Sequence, residues 1–129
     1  MSVLDELRET FRQEAVELLG ELAKILEAQR SNQAEPGALV AARRVAHNLK
    51  GAAITVGAHP IAGPCHALED ELEAASKSPN PPSAEQLESW LYLVTELQTA
   101  TDDPKLIQLS FSEPPLVEAA QPKADQAPS

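Results

Sequence analysis

The positions of the prolines constrain the fold of this chain more than any other feature of its sequence. Eleven prolines occur in 129 residues, and they leave four intervals that are long enough to hold helices. Proline is unfavourable inside a helix because it lacks the backbone N–H and its ring collides with the preceding turn. Aromatic residues make up only 3% of the chain, a composition that favours helices over strands. The sequence therefore predicts an all-α protein with four helices.

Apolar residues recur at spacings of three and four within each interval, and this repeat predicts the bounds of the helices. We expect the first helix over 2–30, the second over 38–56 with Gly57 as its C-terminal cap, and the third over 60–77. Ser83 is expected to cap the fourth. Because the loops between successive helices are short, we expect an antiparallel up-down four-helix bundle.

Each predicted helix carries one apolar stripe that is expected to face the core. The predicted core residues are Leu4, Leu7, Phe11, Ala15, Leu18, Leu22, Ile25 or Leu26, Leu39, Ala42, Val45, Leu49, Ala52, Ala53, Val56, Ile61, Cys65, Leu68, Leu72, Ala75, Leu87, Trp90, Leu91, Val94 and Leu97.

The end of the chain differs in composition from the rest. Residues 104–129 contain five prolines and few apolar residues, which is typical of a disordered Pro/Ala-rich tail or interdomain linker. Residues 1–103 are then expected to form a single four-helix domain. We also expect the natural protein to continue, with this domain as the first module of something larger.

The charge balance excludes several classes of partner. Twenty Asp and Glu residues outnumber ten Lys and Arg residues, giving a net charge of −10, so nucleic acid is not expected as a partner. No apolar run approaches the roughly 18 residues of a membrane span, and the first residues lack the apolar core of a signal peptide. A single cysteine permits no internal disulfide. We therefore expect a cytoplasmic protein that has no membrane partner.

His47 is the most informative residue for function. At about 100° per helical residue it lies about 200° from both Val45 and Leu49, so it faces water when they face the core. An exposed imidazole is available for chemistry. A solvated helix face with an idle histidine is the alternative, and the spacing leaves both open.

Positive charge surrounds His47 along the second helix. Arg43 and Arg44 lie one turn before it, Lys50 and Gly51 lie one turn after it, and residues 36–68 contain no Asp or Glu. Such a field suits a phosphoryl group, whose oxygens bind cationic donors. The missing side chain at Gly51 leaves room for an approaching partner. We therefore predict that Arg43, Arg44 and Gly51 bind a partner protein.

Three segments around this face resemble the signature of histidine phosphotransfer domains: AHNLKGAA at 46–53, GA at 57–58 and CHALE at 65–69. The first helix, with FRQEAVELL at 11–19, is also similar to that family. The resemblance implies a four-helix bundle that carries a phosphoryl group on His47.

The third helix resembles one kind of histidine phosphotransfer domain in particular. His66 lies three residues before Glu69. This spacing resembles the one found in the phosphate-accepting domain of CheA-type chemotaxis histidine kinases. The resemblance implies that Glu69 orients the ring of His47, that Lys50 contacts the phosphate and that His66 joins the same polar cluster. From the residues alone, a surface role for Glu69 and His66 stays open.

The chain has no glycine-rich loop that could hold the phosphates of ATP. We therefore expect no cofactor to bind directly, with ATP and magnesium acting through partners. These partners are a histidine kinase catalytic domain and a response-regulator receiver domain, whose aspartate would take the phosphoryl group from His47. Two alternatives are a non-catalytic helical interaction module and a free-standing phosphotransfer protein that a separate hybrid kinase supplies.

Other chemistry is not favoured by the sequence. A zinc site is not expected, because Cys65 is predicted to point into the core and His47 away from it. A di-iron bundle needs Glu-x-x-His on two helices, whereas the order here is His66 to Glu69 and occurs once. Cys65 is therefore predicted to be a small core residue without a catalytic role.

Overall fold

The computed structural model describes residues 3–103, and within this range the backbone forms helices and no strand. The four helices are α1 (Val3–Arg30), α2 (Ala38–Thr55), α3 (His59–Lys77) and α4 (Ala84–Asp102). The predicted all-α class is confirmed, and the predicted helix bounds agree within one residue. Residues 104–129, and with them the predicted linker, lie outside the described residues.

The helices pack as a ring around one core. α1 contacts α2 and α4, and α3 contacts the same two helices, with the most extensive contact between α2 and α3. Loops of three to seven residues join successive helices, which gives the predicted antiparallel order. The apolar residues of each helix form an inward stripe, and none of the described helices is long and apolar enough to cross a membrane.

The turn between α2 and α3 is fixed by Gly57, as predicted. Its φ of 75° lies in the left-handed region that glycine adopts without strain. The N–H of Gly57 donates to Ile54 O at 3.1 Å, and the N–H of Ala58 donates to Ala53 O at 2.8 Å. This Schellman arrangement satisfies carbonyls at the end of α2 and returns the chain at once into α3. The tight turn holds the two helices side by side.

Helix α4 begins at the predicted side-chain cap. The Oγ of Ser83 accepts a hydrogen bond from the backbone N–H of Gln86 at 3.0 Å, which satisfies one of the N–H groups that the first turn leaves without a helical partner.

The core follows most of the predicted stripes. The predicted residues Leu39, Ala52, Val56, Ala75 and Leu91 are only partly buried, and the largest departures lie in α1. Leu19, not Leu18, is fully buried there, whereas Leu18 is only partly buried. Leu4 and Leu7 are each 37% exposed. The reason is length: α1 has 28 residues and α4 has 19, and Arg12 of α1 already contacts Asp102 at the end of α4. The first two turns of α1 therefore extend beyond the helix that would cover them.

Small residues bring α2 and α3 together. Ala46 is fully buried and Ala62 is 8% exposed, and neither was predicted to be in the core. The predicted residues Ala42, Ala53 and Cys65 are buried as well. Because short side chains at a helix interface permit close approach, polar groups on the edges of α2 and α3 come within reach of each other.

Truncation of a buried leucine tests this packing. We expect Leu68→Ala to lower the free energy of unfolding by about 2 to 5 kcal/mol, because Leu68 is 1% exposed and its loss leaves a cavity. Urea unfolding followed by circular dichroism measures the change. Ile54→Ala is the matched control, since Ile54 is 56% exposed and its truncation should change stability by less than about 0.5 kcal/mol. Equal losses in the two variants would contradict the core described above.

Candidate functional site

His47 lies on the solvent side of α2, as the sequence predicts. Its side chain is 57% exposed, because Val45, Ala46 and Leu49 occupy the buried side of the same helix. The ring is therefore open to a reaction partner while its backbone is fixed by a packed helix.

The ring of His47 is held by a carboxylate from the neighbouring helix. The Nδ1 of His47 lies 2.7 Å from Oε2 of Glu69, which belongs to α3 and is only 8% exposed. An ionised carboxylate only accepts hydrogen bonds, so the proton of the neutral ring sits on Nδ1. The other ring nitrogen, Nε2, then keeps its lone pair.

Two cations lie around the same carboxylate. The Nζ of Lys50 is 2.7 Å from Oε1 of Glu69, and a guanidinium nitrogen of Arg43 is 3.8 Å from Oε2. Lys50 is 18% exposed and Arg43 is 33% exposed, so both are partly shielded from water. These cations offset the cost of burying the carboxylate.

The balance of these effects keeps Glu69 ionised. Burial by itself raises the pKa of its carboxyl group, but the contacts with Lys50 and His47 lower that pKa by more. The pKa of Glu69 therefore lies below its ordinary value, and the group is a carboxylate at neutral pH. The possibility that Glu69 is an ordinary surface residue is wrong, because its side chain is buried between α2 and α3.

The other predicted site residues lie apart from this cluster. His66 is 62% exposed, and its Nε2 lies 3.6 Å from Oδ2 of Asp70, one turn further along α3. The structure does not bring His66 to Glu69, because Glu69 faces α2 while His66 faces water. Arg44 is exposed on α2. His59, which is not a predicted site residue, is exposed at the first residue of α3.

The comparison with protein families gives a match that covers most of the chain. The model of the Hpt domain matches residues 6–102, which include all four helices except the first three residues of α1, and every residue of the cluster around Glu69. The chain belongs to the Hpt domain family. Hpt domains carry out histidine phosphotransfer and exchange phosphoryl groups with kinases and response regulators in two-component phosphorelays. No curated protein and no solved structure gave a match.

In this Hpt domain, Gly51 is not required by the fold itself. A Cβ placed on Gly51 would meet no atom within 4 Å, and Gly51 has no positive φ. Glycine inside a helix costs about 0.5 to 1 kcal/mol relative to alanine. No packing contact or backbone conformation in the described part of the chain requires this glycine. Its one structural effect there is to leave the surface beside His47 open.

A groove runs beside His47 between α1 and α2. Its volume is about 560 Å³, and both apolar and polar residues line it. The sequence does not reveal this groove. Its side on α1 is formed by residues whose pattern predicts either the core or an exposed helix face. The lining residues are Leu7, Thr10, Phe11, Glu14, Leu18, His47, Asn48, Gly51, Ala52, Thr55 and Val56.

Cys65 is a buried core residue, as the sequence predicts. Cys65 is 1% exposed, and burial together with the charge of Glu69 raises the pKa of its thiol to about 12, so the thiol stays protonated. Within residues 3–103, no group of three or more His, Cys, Asp and Glu side chains is arranged to hold a metal ion.

The lowered pKa of Glu69 predicts a pH-dependent contribution to stability. The contribution is present above the pKa of an unfolded glutamate, about 4.3, and is lost as the pH falls through the lower folded value. We expect Glu69→Gln to destabilise the domain by about 1 to 3 kcal/mol above about pH 5 and by less at lower pH. Urea unfolding of both proteins at several pH values measures the difference. A difference that grows as the pH falls below about 4 would contradict this account.

Proposed function

We propose that His47 is the phosphoryl acceptor of this Hpt domain and that it accepts the group on Nε2. One observation carries the proposal: the buried carboxylate of Glu69 contacts Nδ1 at 2.7 Å on a ring that is 57% exposed. This contact leaves the outer ring nitrogen with a lone pair and open to an incoming phosphoryl group.

The geometry supports a simple mechanism. The lone pair of Nε2 attacks the phosphorus atom, and the bond from phosphorus to the leaving group of the donor breaks. The Nδ1 proton stays in the hydrogen bond to Glu69, whose negative charge stabilises the positive charge that develops on the ring. Transfer onward reverses these steps, with an aspartate carboxylate of a receiver domain as the attacking group.

The partners follow from this chemistry. A histidine kinase catalytic domain would supply the phosphoryl group from ATP, and a response-regulator receiver would take it, with magnesium held by those partners. Arg44 is exposed one turn before His47, and Gly51 leaves space one turn after it. We propose that these two residues border the partner interface, which includes the groove between α1 and α2. We propose that this exchange of phosphoryl groups takes place in the cytoplasm.

We also propose that the domain serves a CheA-like kinase. The support is the combination of His47, Lys50 and Glu69 at the positions that the resemblance assigns to the site, and their contacts at 2.7 Å. The position of His66 lends no support, since its contact is with Asp70. A free-standing phosphotransfer protein would instead take its phosphoryl group from the receiver of a hybrid kinase. Labelling by a CheA-type kinase domain, compared with labelling by a phosphorylated receiver, separates the two contexts.

Replacement of each histidine tests the acceptor. Incubation with a histidine kinase and labelled ATP should label the wild type, His59→Ala and His66→Ala, and should leave His47→Gln unlabelled. The label should be lost in acid, as is typical of a phosphorus–nitrogen bond. Label that survives in His47→Gln would contradict the assignment of His47 as the acceptor. A wild type that binds its partners and takes up no label from any donor would favour the non-catalytic interaction module.

A further inference from the structure

Three basic side chains surround Glu69 at unequal distances. Lys50 contacts one carboxylate oxygen at 2.7 Å, and the ring of His47 contacts the other at 2.7 Å. The nearest guanidinium nitrogen of Arg43 stays 3.8 Å from that second oxygen, beyond hydrogen-bond range. Lys50 and His47 thus make the close contacts with the carboxylate, and the longer contact with Arg43 leaves the hydrogen-bond donors of the guanidinium uncommitted.

The charges in the cluster are also unequal. The negative charge of Glu69 is balanced by Lys50 at close contact, whereas the positive charge of Arg43 has no second carboxylate beside it among the ion pairs of residues 3–103. With a neutral imidazole, the site has one positive charge in excess. An incoming phosphoryl group brings close to two negative charges, which this excess would attract.

Arg43 also lies beside the ring that would carry that group. It lies four residues before His47 on α2, and helical side chains lean toward the N-terminus, so the ring of His47 leans over the turn that carries Arg43. The guanidinium and Nδ1 lie within 3.8 Å and 2.7 Å of the same carboxylate oxygen. At 33% exposure the side chain is free to adjust.

We infer that Arg43 is the residue that binds the phosphoryl oxygens on His47, while Lys50 acts as a positioning residue that holds Glu69. This inference rests on the proposed function, and it differs from the sequence predictions, in which Lys50 contacts the phosphate and Arg43 binds a partner protein. The planar fork of a guanidinium matches two oxygens of a phosphoryl group, which a single ammonium cannot do in the same way.

A small phosphodonor tests this role without a partner protein. With phosphoramidate, Nε2 attacks phosphorus, the phosphorus–nitrogen bond of the donor breaks, and ammonia leaves with the electron pair of that bond. The proton on Nδ1 stays with the ring and Glu69. We expect Arg43→Gln to slow the phosphorylation of His47 by about three- to tenfold, the range for a partly exposed charge-assisted contact.

Arg30→Gln is the matched control, because it removes the same charge at the far end of α1, where Arg30 pairs with Glu27 at the surface. Its rate should equal that of the wild type. In NMR spectra, the side-chain Nε–H signal of Arg43 should shift when His47 is phosphorylated, while that of Arg30 should not.

The outcomes separate this inference from the proposed function. If the wild type takes up phosphate on His47, and Arg43→Gln reacts as fast with no shift of the Arg43 signal, the inference is overturned and the proposed function stands. A shift of the Lys50 ammonium signal in place of the Arg43 signal would also overturn it, in favour of the roles that the sequence predicts. If the wild type takes up no phosphate on His47 from phosphoramidate or from a kinase, both fail.

Discussion

The buried carboxylate of Glu69 is the group on which the site depends. A carboxylate that is 8% exposed is costly to bury unless cations and hydrogen-bond donors meet it. Lys50 and His47 contact it at 2.7 Å, one on each oxygen, so the charge is compensated and the ring is oriented by the same interaction. The contacts that compensate the buried charge of Glu69 therefore also orient the ring of the proposed acceptor.

This arrangement requires α2 and α3 to lie close together and in a fixed register. Alanines at positions 46 and 62 keep side chains short where the two helices meet, and both residues are buried. The turn at Gly57, which has a left-handed backbone conformation, joins the helices through three residues. This short connection fixes the position of α3 along the axis of α2. The ring of the proposed acceptor stays exposed on a rigid support, which suits a group that has to meet different partners in turn.

The sequence is informative about this fold because prolines and apolar periodicity are local signals. The four helices, the cap at Ser83 and the turn at Gly57 could be predicted for that reason, and the exposure of His47 follows from its angle on α2. The burial of Ala46 could not be predicted in the same way, since alanine occurs both in protein cores and on protein surfaces. The exposure of Leu4 and Leu7 depends on where α4 ends, which is a property of the packing and not of α1.

The site was predictable in part. The spacing around His47 indicates a basic exposed face, and the resemblance suggests Glu69 as its partner. Sequence spacing alone cannot tell that this glutamate is buried, that Lys50 is held by it or that His66 turns to Asp70. These outcomes depend on the rotation of α3 against α2.

The tautomer of His47 is the most direct test of the account. Long-range proton–nitrogen NMR spectra at about pH 8, where an ordinary imidazole is neutral, report which ring nitrogen carries the proton. We expect a proton on Nδ1 and a free lone pair on Nε2 in the wild type, and loss of that preference in Glu69→Ala. A proton on Nε2 in the wild type, or the same tautomer in both proteins, would contradict it.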